Sequence, residues 1–251
     1  MNTQKIKNLI KTVLAIAYFP LLVPTTIRKI NEQKEKLKEI SETFLWTEKF
    51  LIGPKIRGLN INFNTSQIKE EIIALAKAIQ KNPPKIILEI GTATGGTLFM
   101  FARTATIDAK IISIDLPLGR YGAGYFKYRI PLLRAFATAQ QKIHLIRRDS
   151  HQTETIKMLE ELLQGRKIDF LFIDGDHSYQ GVKKDFENYF SFVNPGGLIA
   201  FHDIVPNDLD KSIGTHIFWQ EIKNKYPSQE FIRQKAGNTG CGIGIIRKPN
   251  K

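Results

Sequence analysis

Acids and histidines arrive together at two places in the chain. Ile173-Asp174-Gly175-Asp176-His177 closes a mostly apolar run from Ile168, and His202-Asp203 closes another from Leu198 to Phe201. Runs of this kind are the pattern of strands buried on both faces. Their carboxyl ends would deliver Asp174, Asp176, His177, His202 and Asp203 to one rim of a sheet, where open α/β sheets bind ligands. Carboxylates grouped with imidazoles can take up a proton or hold a divalent ion. Neutral His177 is the better base by intrinsic pKa, about 6.5 for a free imidazole, with Asp174 as the alternative where no metal occupies it. The competing reading for each histidine is a satisfied structural side chain, and the neighbouring acids weigh against it.

A second stretch, Lys85 to Thr97, reads KIILEIGTATGGT. Ile86, Ile87, Leu88 and Ile90 predict a buried strand, and Gly91, Gly95 and Gly96 a sharp turn. Leu98, Phe99, Phe101 and Ala102 then begin a helix. Strand, glycine turn and helix make a nucleotide-binding corner. Ala93 stands where the second glycine of the dinucleotide fingerprint lets a pyrophosphate approach, which argues against NAD. Glu89, at the end of the strand, suits a cationic ligand. Ile111 to Ile114 predicts the next strand, and Asp115 at its end is placed to accept from ribose hydroxyls.

These residues need a sheet to carry them, and the pattern supplies one. Lys142 to Ile146 predicts a strand leading to Asp149-Ser150, where Ser150 could also cap the helix carrying Ile156, Leu159, Leu162 and Leu163, ended by Gly165. Thr65 or Ser66 is the expected cap of a helix with Ile68, Ile72, Ile73, Leu75 and Ile79, stopped by Asn82-Pro83-Pro84. Val182, Phe186, Tyr189 or Phe190, and Val193 predict a helix closed by Asn194-Pro195-Gly196-Gly197. A helix around Ile217, Phe218, Ile222 and Tyr226 precedes two strands, 229–234 and 241–247, turning at Gly237-Asn238-Thr239-Gly240. The irregular stretch 117–131 reads as a functional loop, with Arg120, Tyr121, Tyr125 and Arg129 as candidates for contact with a reaction partner.

Composition frames this as an α/β domain with an appendage: 251 residues, 42% hydrophobic and 24% charged. Cys241 is the single cysteine, so no internal disulfide forms and a reducing, cytoplasmic compartment is expected. Residues 1–40 differ from the rest, with eight cations against three acids for a local charge of +5. The apolar run Leu9 to Val23, interrupted by Pro20, is shorter than the roughly twenty residues that a spanning helix needs. Three roles are open to residues 1–60, read as a basic, apolar helical extension of a 61–251 domain: peripheral contact with an anionic membrane, packing on the core, or a homo-oligomer interface.

Taken together, ILEIGTATGG, SIDLP, LIRRDSH, FLFIDGDHSYQGVKKDF and NPGGLIAFHD resemble the class I S-adenosylmethionine-dependent methyltransferases. They are similar to the small-molecule O-methyltransferases of the macrocin and novobiocin type and, more distantly, to cephalosporin hydroxylase-like proteins. The resemblance covers residues 65–250. It implies a doubly wound, Rossmann-like, seven-stranded and mainly parallel α/β sheet with its last strand antiparallel. It implies S-adenosylmethionine as cofactor, held by Glu89, Gly91, Thr92, Gly95, Gly96, Asp115, Asp149 and Ser150. It also implies a divalent ion, magnesium or manganese, on Asp174, His202 and Asp203. His202 stands where relatives carry an acid, and imidazole shifts the preference from magnesium toward manganese, iron or zinc. Asp174, His177 and Asp203 would carry catalysis toward the hydroxyl of a small molecule or sugar.

Three rivals compete. The net charge of +13 admits a nucleic-acid methyltransferase, but no nucleic-acid module is recognisable and the Asp-Gly-Asp-His corner does not resemble a base-flipping pocket. A metal-dependent hydroxylase-like activity would use the same rim. A non-catalytic nucleotide-binding or membrane-adaptor protein would keep the glycine corner and make no use of it.

Overall fold

A computed structural model describes residues 3–54, 60–117, 124–138, 140–233 and 240–250, with side chains from Tyr18 onward. Arg120, Tyr121 and the turn residues Gly237, Asn238 and Thr239 lie outside the described residues.

The chain begins with α1 (Thr3–Lys34), α2 (Ile40–Lys49) and a two-strand ribbon, β1 (Leu51–Ile52) with β2 (Ile61–Asn62). Then come α3 (Lys69–Gln80), β3 (Ile86–Ile90), α4 (Gly96–Thr104), β4 (Lys110–Ile114), α5 (Ile130–Arg134) and β5 (Lys142–Ile146). The second half holds α6 (Thr153–Leu163), β6 (Ile168–Ile173), α7 (Tyr179–Tyr189), β7 (Val193–His202), α8 (Thr215–Ile222), β8 (Ser228–Phe231) and β9 (Ile243–Arg247). The main sheet has seven strands in the order β5-β4-β3-β6-β7-β9-β8. The pairs from β5 through β7 are parallel, and β9 is inserted antiparallel between β7 and β8. The doubly wound sheet with an antiparallel last strand is therefore borne out. Strand order reverses between β3 and β6, which sets the ligand crevice of such a sheet at their carboxyl ends.

Alternation along β3 explains the layers. Ile87 points to one face, joining Phe99 and Phe101 of α4, while Ile86, Leu88 and Ile90 point to the other, joining Leu159, Val182 and Trp219. All five β3 residues are buried, as expected of a central parallel strand. The first face extends into the N-terminal region, because Phe19, Ile30, Ile40, Phe44, Phe50 and Ile52 share its cluster. Helix α1 runs on through Pro20 and Pro24. Each internal proline costs about 3 kcal/mol, and docking of the C-terminal half offsets it. Phe19 stacks on Tyr128 at 4.5 Å, Lys34 Nζ donates to the carbonyls of Ala135 and Ala137, and Arg103 donates to the Lys34 carbonyl. No helix among the described residues is long and apolar enough to cross a membrane.

Local chemistry departs from expectation at three points. The N-cap of α3 is Ile68, not Thr65 or Ser66, because the Thr65 amide and hydroxyl are both given to Glu48 Oε1. The N-cap of α6 is Gln152, not Ser150, and Thr155 Oγ1 reaches back to the Asp149 carbonyl. Asn194 to Gly197 is not a loop but the start of β7, since Gly196 and Gly197 exchange backbone bonds with Lys248 and the register shifts opposite Ile168.

If α1 is part of the core, Ile30→Ala will destabilise the protein by about 2–5 kcal/mol, the range for emptying a buried aliphatic site. Urea unfolding measures this, and a loss below about 0.5 kcal/mol, the level of surface substitutions, would place Ile30 outside the core.

Candidate functional site

The turn after β3 passes so close to the end of β6 that no side chain fits. Gly91 has φ +95°, and a Cβ on it would lie 2.0 Å from the Asp174 carbonyl oxygen. Backbone bonds close the corner on both sides, Gly91 N to the Ile114 carbonyl and Asp174 N to the Ile90 carbonyl, each 2.9 Å. Gly95, also left-handed, caps α4, which Gly96 opens against the Phe63 backbone. Ala93 adopts φ +46°, a strained setting for a residue with a Cβ. It is held there because Thr92 N and Ala93 N both donate to Asp115 Oδ2, at 3.2 and 2.8 Å.

Beneath the turn lies a sealed polar network. Glu89 is fully buried, and its two oxygens accept from Thr97 Oγ1 at 2.6 Å and Ser113 Oγ at 2.9 Å. Ser113 Oγ also bonds Thr92 Oγ1. Burial pushes the Glu89 carboxyl up to about 8, against the opposing effect of these hydroxyls. Glu89 is thus a neutral acid at physiological pH, and its hydrogen bonds among the described residues run to Thr97 and Ser113. Asp115 is raised to about 6 by burial, with amides of Ala93, Thr92, Gly124 and Leu116 pulling the other way.

On the β5 side, Asp149 Oδ1 accepts from His151 N at 2.8 Å, and the Ser150 carbonyl accepts from Tyr189 Oη at 2.6 Å. His151 Nε2 lies 3.2 Å from Asp185 Oδ1, a carboxylate with no exposed surface. Helix α7 therefore holds the 149–151 segment in place. Asp185 escaped the sequence reading, and Tyr189 entered it only as part of the helix's apolar stripe, although an acid on the stripe Val182, Asp185, Phe186, Tyr189 is a signal that could have found the pair.

On the other side of the turn, Asp174, His177, His202 and Asp203 offer ligand atoms all within 4.8 Å of one another. His177 Nδ1 lies 2.5 Å from Asp203 Oδ2, and His202 Nδ1 lies 3.0 Å from Asp174 Oδ1 and 3.3 Å from Asp203 Oδ1. Gln67, for which the sequence holds no signal, donates to Asp174 Oδ2 at 2.8 Å. Asp176 does not join the group; it is exposed and accepts from Ser178 N. Burial disfavours charge on both imidazoles, yet the carboxylates of Asp174 and Asp203 outweigh it and raise His177 and, well above the usual value, His202. Burial likewise opposes charge on Asp203, but the two histidines hold its carboxyl below the usual range. The cluster is a compact, mutually neutralising set of N and O donors. That donor set fits a divalent ion of the manganese, iron or zinc type, and it is equally a proton-handling group.

Residues 88–204 match a family model described as a methyltransferase domain. The matched segment contains the glycine turn, Asp115, Asp149 and the whole acid–histidine cluster. An uncharacterised protein of Acanthamoeba polyphaga mimivirus is 36% identical over 129 residues, 51% of this chain and 55% of that one. An uncharacterised protein of Sinorhizobium fredii is 29% identical over 169 residues, 65% of this chain and 17% of that one. The chain thus spans less than two thirds of the length of these two relatives. A caffeoyl-CoA O-methyltransferase of Populus kitakamiensis is 26% identical over 189 residues, 72% of this chain and 70% of that one. Among solved structures, the O-methyltransferase TomG from Streptomyces achromogenes, in complex with SAM, superposes with a TM-score of 0.53 at 14% identity, covering 86% of this chain and 99% of that one. At that identity the likeness is one of fold.

The raised Glu89 carboxyl has a signed consequence for stability. Its folded value of about 8 exceeds its ordinary 4.5, so its contribution is complete below the ordinary value and is lost as pH rises toward 8. Glu89→Gln keeps a neutral group in place. The stability difference between the variant and the native protein is expected to move in the variant's favour from pH 5 to pH 8. Parallel curves in urea titrations would show that Glu89 is ionised in the fold.

Proposed function

We propose that this chain, whose residues 88–204 match the methyltransferase-domain family model, transfers the methyl group of S-adenosylmethionine to a hydroxyl of a small molecule. The observation that carries this is the contact between Gly91 and the Asp174 backbone. The glycine turn and the acid–histidine cluster thus lie on adjoining strand ends, which supports reading them as a nucleoside corner beside a proton-handling group. The O-methyltransferase activity of the Populus relative and the SAM complex of the Streptomyces fold neighbour support the reading.

In this reading Gly91, Thr92, Gly95 and Gly96 shape the pocket floor, with Glu89 bracing it from below. Asp115 accepts from ribose hydroxyls, and Asp149 with Ser150 meets the adenine edge. S-adenosylmethionine supplies a methyl carbon already activated by its sulfonium, and a divalent ion on Asp174, His202 and Asp203 would lower the pKa of the acceptor hydroxyl. The protein's own work is alignment and proton removal. Asp203 holds His177 through Nδ1, which directs Nε2 to take the proton. Gln67 fixes the second oxygen of Asp174, leaving the first toward His202. Because Asp203 and Asp174 raise His177, its basic form is reached at a higher pH than that of a free imidazole when no metal is bound.

Two coarser readings concern the outside of the molecule. Tyr18 and Leu21 are exposed on α1, which also carries the exposed Arg28 and Lys29, and this supports peripheral contact with an anionic surface. The same face would serve a second copy of the chain. The lone Cys241 supports a cytoplasmic setting.

Asp174→Asn and Asp203→Asn are expected to keep affinity for S-adenosylhomocysteine while transfer falls by about a hundredfold or more, the scale of a lost base or aligning group. Calorimetry and a methyl-transfer assay on the same preparations separate the two effects. Removal of divalent ions with a chelator, followed by add-back, decides between metal and Asp–His chemistry. Native transfer rates in both variants would make the cluster structural and end this reading of it.

A further inference from the structure

Tyr125 sits between β4 and α5 with its ring almost wholly buried, and its hydroxyl has no hydrogen-bond partner among the described residues. The residue is firmly placed. Its carbonyl accepts from Arg147 Nε at 3.1 Å and from a terminal guanidinium nitrogen at 2.9 Å, and the Arg147 guanidinium carbon lies 5.6 Å from the ring centroid. Burial, and then the carboxylate of Asp115, push the phenol's pKa up, so the hydroxyl keeps its proton and can donate. A buried donor with nothing to donate to costs about as much as a lost hydrogen bond. Phenylalanine would fill the same space without that cost, so the hydroxyl points to an acceptor that a ligand brings.

The sheet order identifies which ligand. Tyr125 is tied to Arg147, just past β5, and feels Asp115, just past β4. These strands lie on one side of the reversal between β3 and β6, while the acid–histidine cluster lies past β6 and β7 on the other. A partner in methyl transfer would occupy the cluster side, although the sequence had grouped Tyr125 with the candidates for that contact. In the cofactor reading, the occupant between Asp115 and Asp149 is the nucleoside.

We propose that Tyr125 is a nucleoside-contacting residue, its hydroxyl donating to a ribose oxygen or ring nitrogen of the adenosine half of the cofactor. This rests on the cofactor reading given above and extends it to a residue outside the glycine turn.

The test titrates S-adenosylhomocysteine and, separately, adenosine into the native protein and Tyr125→Phe, and measures the ligand-free stability of both. The expected result has an unusual sign. Ligand-free Tyr125→Phe should be as stable as the native protein or more so, since a buried unpaired hydroxyl is removed. Its affinity for both ligands should fall about tenfold, the scale of one lost hydrogen bond at a buried site, and KM for S-adenosylmethionine should rise with kcat little changed. Unchanged affinity would overturn the contact. Lower ligand-free stability would show that the hydroxyl is bonded within the fold, and weakening for S-adenosylhomocysteine without weakening for adenosine would move the contact to the amino-acid half; either result overturns the assignment. A native protein that binds neither ligand would instead overturn the cofactor reading itself, a failure visible before any variant is made.

Discussion

The site depends on one close approach of backbone to backbone. With no Cβ at Gly91, the turn after β3 rests directly on the carbonyl of Asp174, and the last parallel bonds between β3 and β6 run up to that point. Any side chain there would force the strand ends apart. They would separate where strand order reverses, which is where the crevice of a doubly wound sheet opens. The turn and the acid–histidine cluster are therefore a single rigid unit. Methyl transfer rewards such a unit, because an in-line displacement gains mainly from holding donor and acceptor in register.

Burial sets opposite electrostatic states on the two sides of that contact. Under the turn, Glu89 bonds to hydroxyls and has the carboxyls of Asp115 and Asp174 nearby but no cation to offset burial, so desolvation prevails and the acid is neutral. Beyond the turn, Asp203 meets two imidazoles and stays ionised despite being buried. A neutral acid under the turn leaves the local charge to Asp115, and an ionised acid beside histidines prepares the cluster for a proton or a cation. Both are carboxyls at or near strand ends, and their neighbours alone decide the difference.

Much of this was legible in the sequence because it rests on local pattern. The strand ends carrying Asp115, Asp174 and Asp203, and with them an α/β sheet, follow from apolar runs ended by glycine or acid, while it is the motifs taken together that resemble the methyltransferase domain whose family model matches residues 88–204. What escaped is carried by contacts between distant segments. Gln67 reaches Asp174 across 107 positions, and nothing near either residue announces it. Ser150 did not become the cap of α6 because Thr155 and Gln152 close that end instead. Residues 194–197 read as a turn by composition, yet pairing with Lys248 draws them into β7. The prolines of α1 fail to stop the helix because its second half is anchored by Phe19, Ile30 and Lys34. At residues 194–197 and in α1 tertiary contact outweighed a local preference, whereas at α6 one local contact displaced another.

The central claim is that the glycine turn and the adjoining cluster form one methyl-transfer site for small hydroxylated molecules. The most direct test supplies methyl-labelled S-adenosylmethionine to the purified protein together with a fractionated cell extract. The account predicts label in the low-molecular-mass fraction, joined through oxygen as an ether that survives mild base. Label recovered in nucleic acid or protein, or none transferred while the cofactor is demonstrably bound, would contradict it.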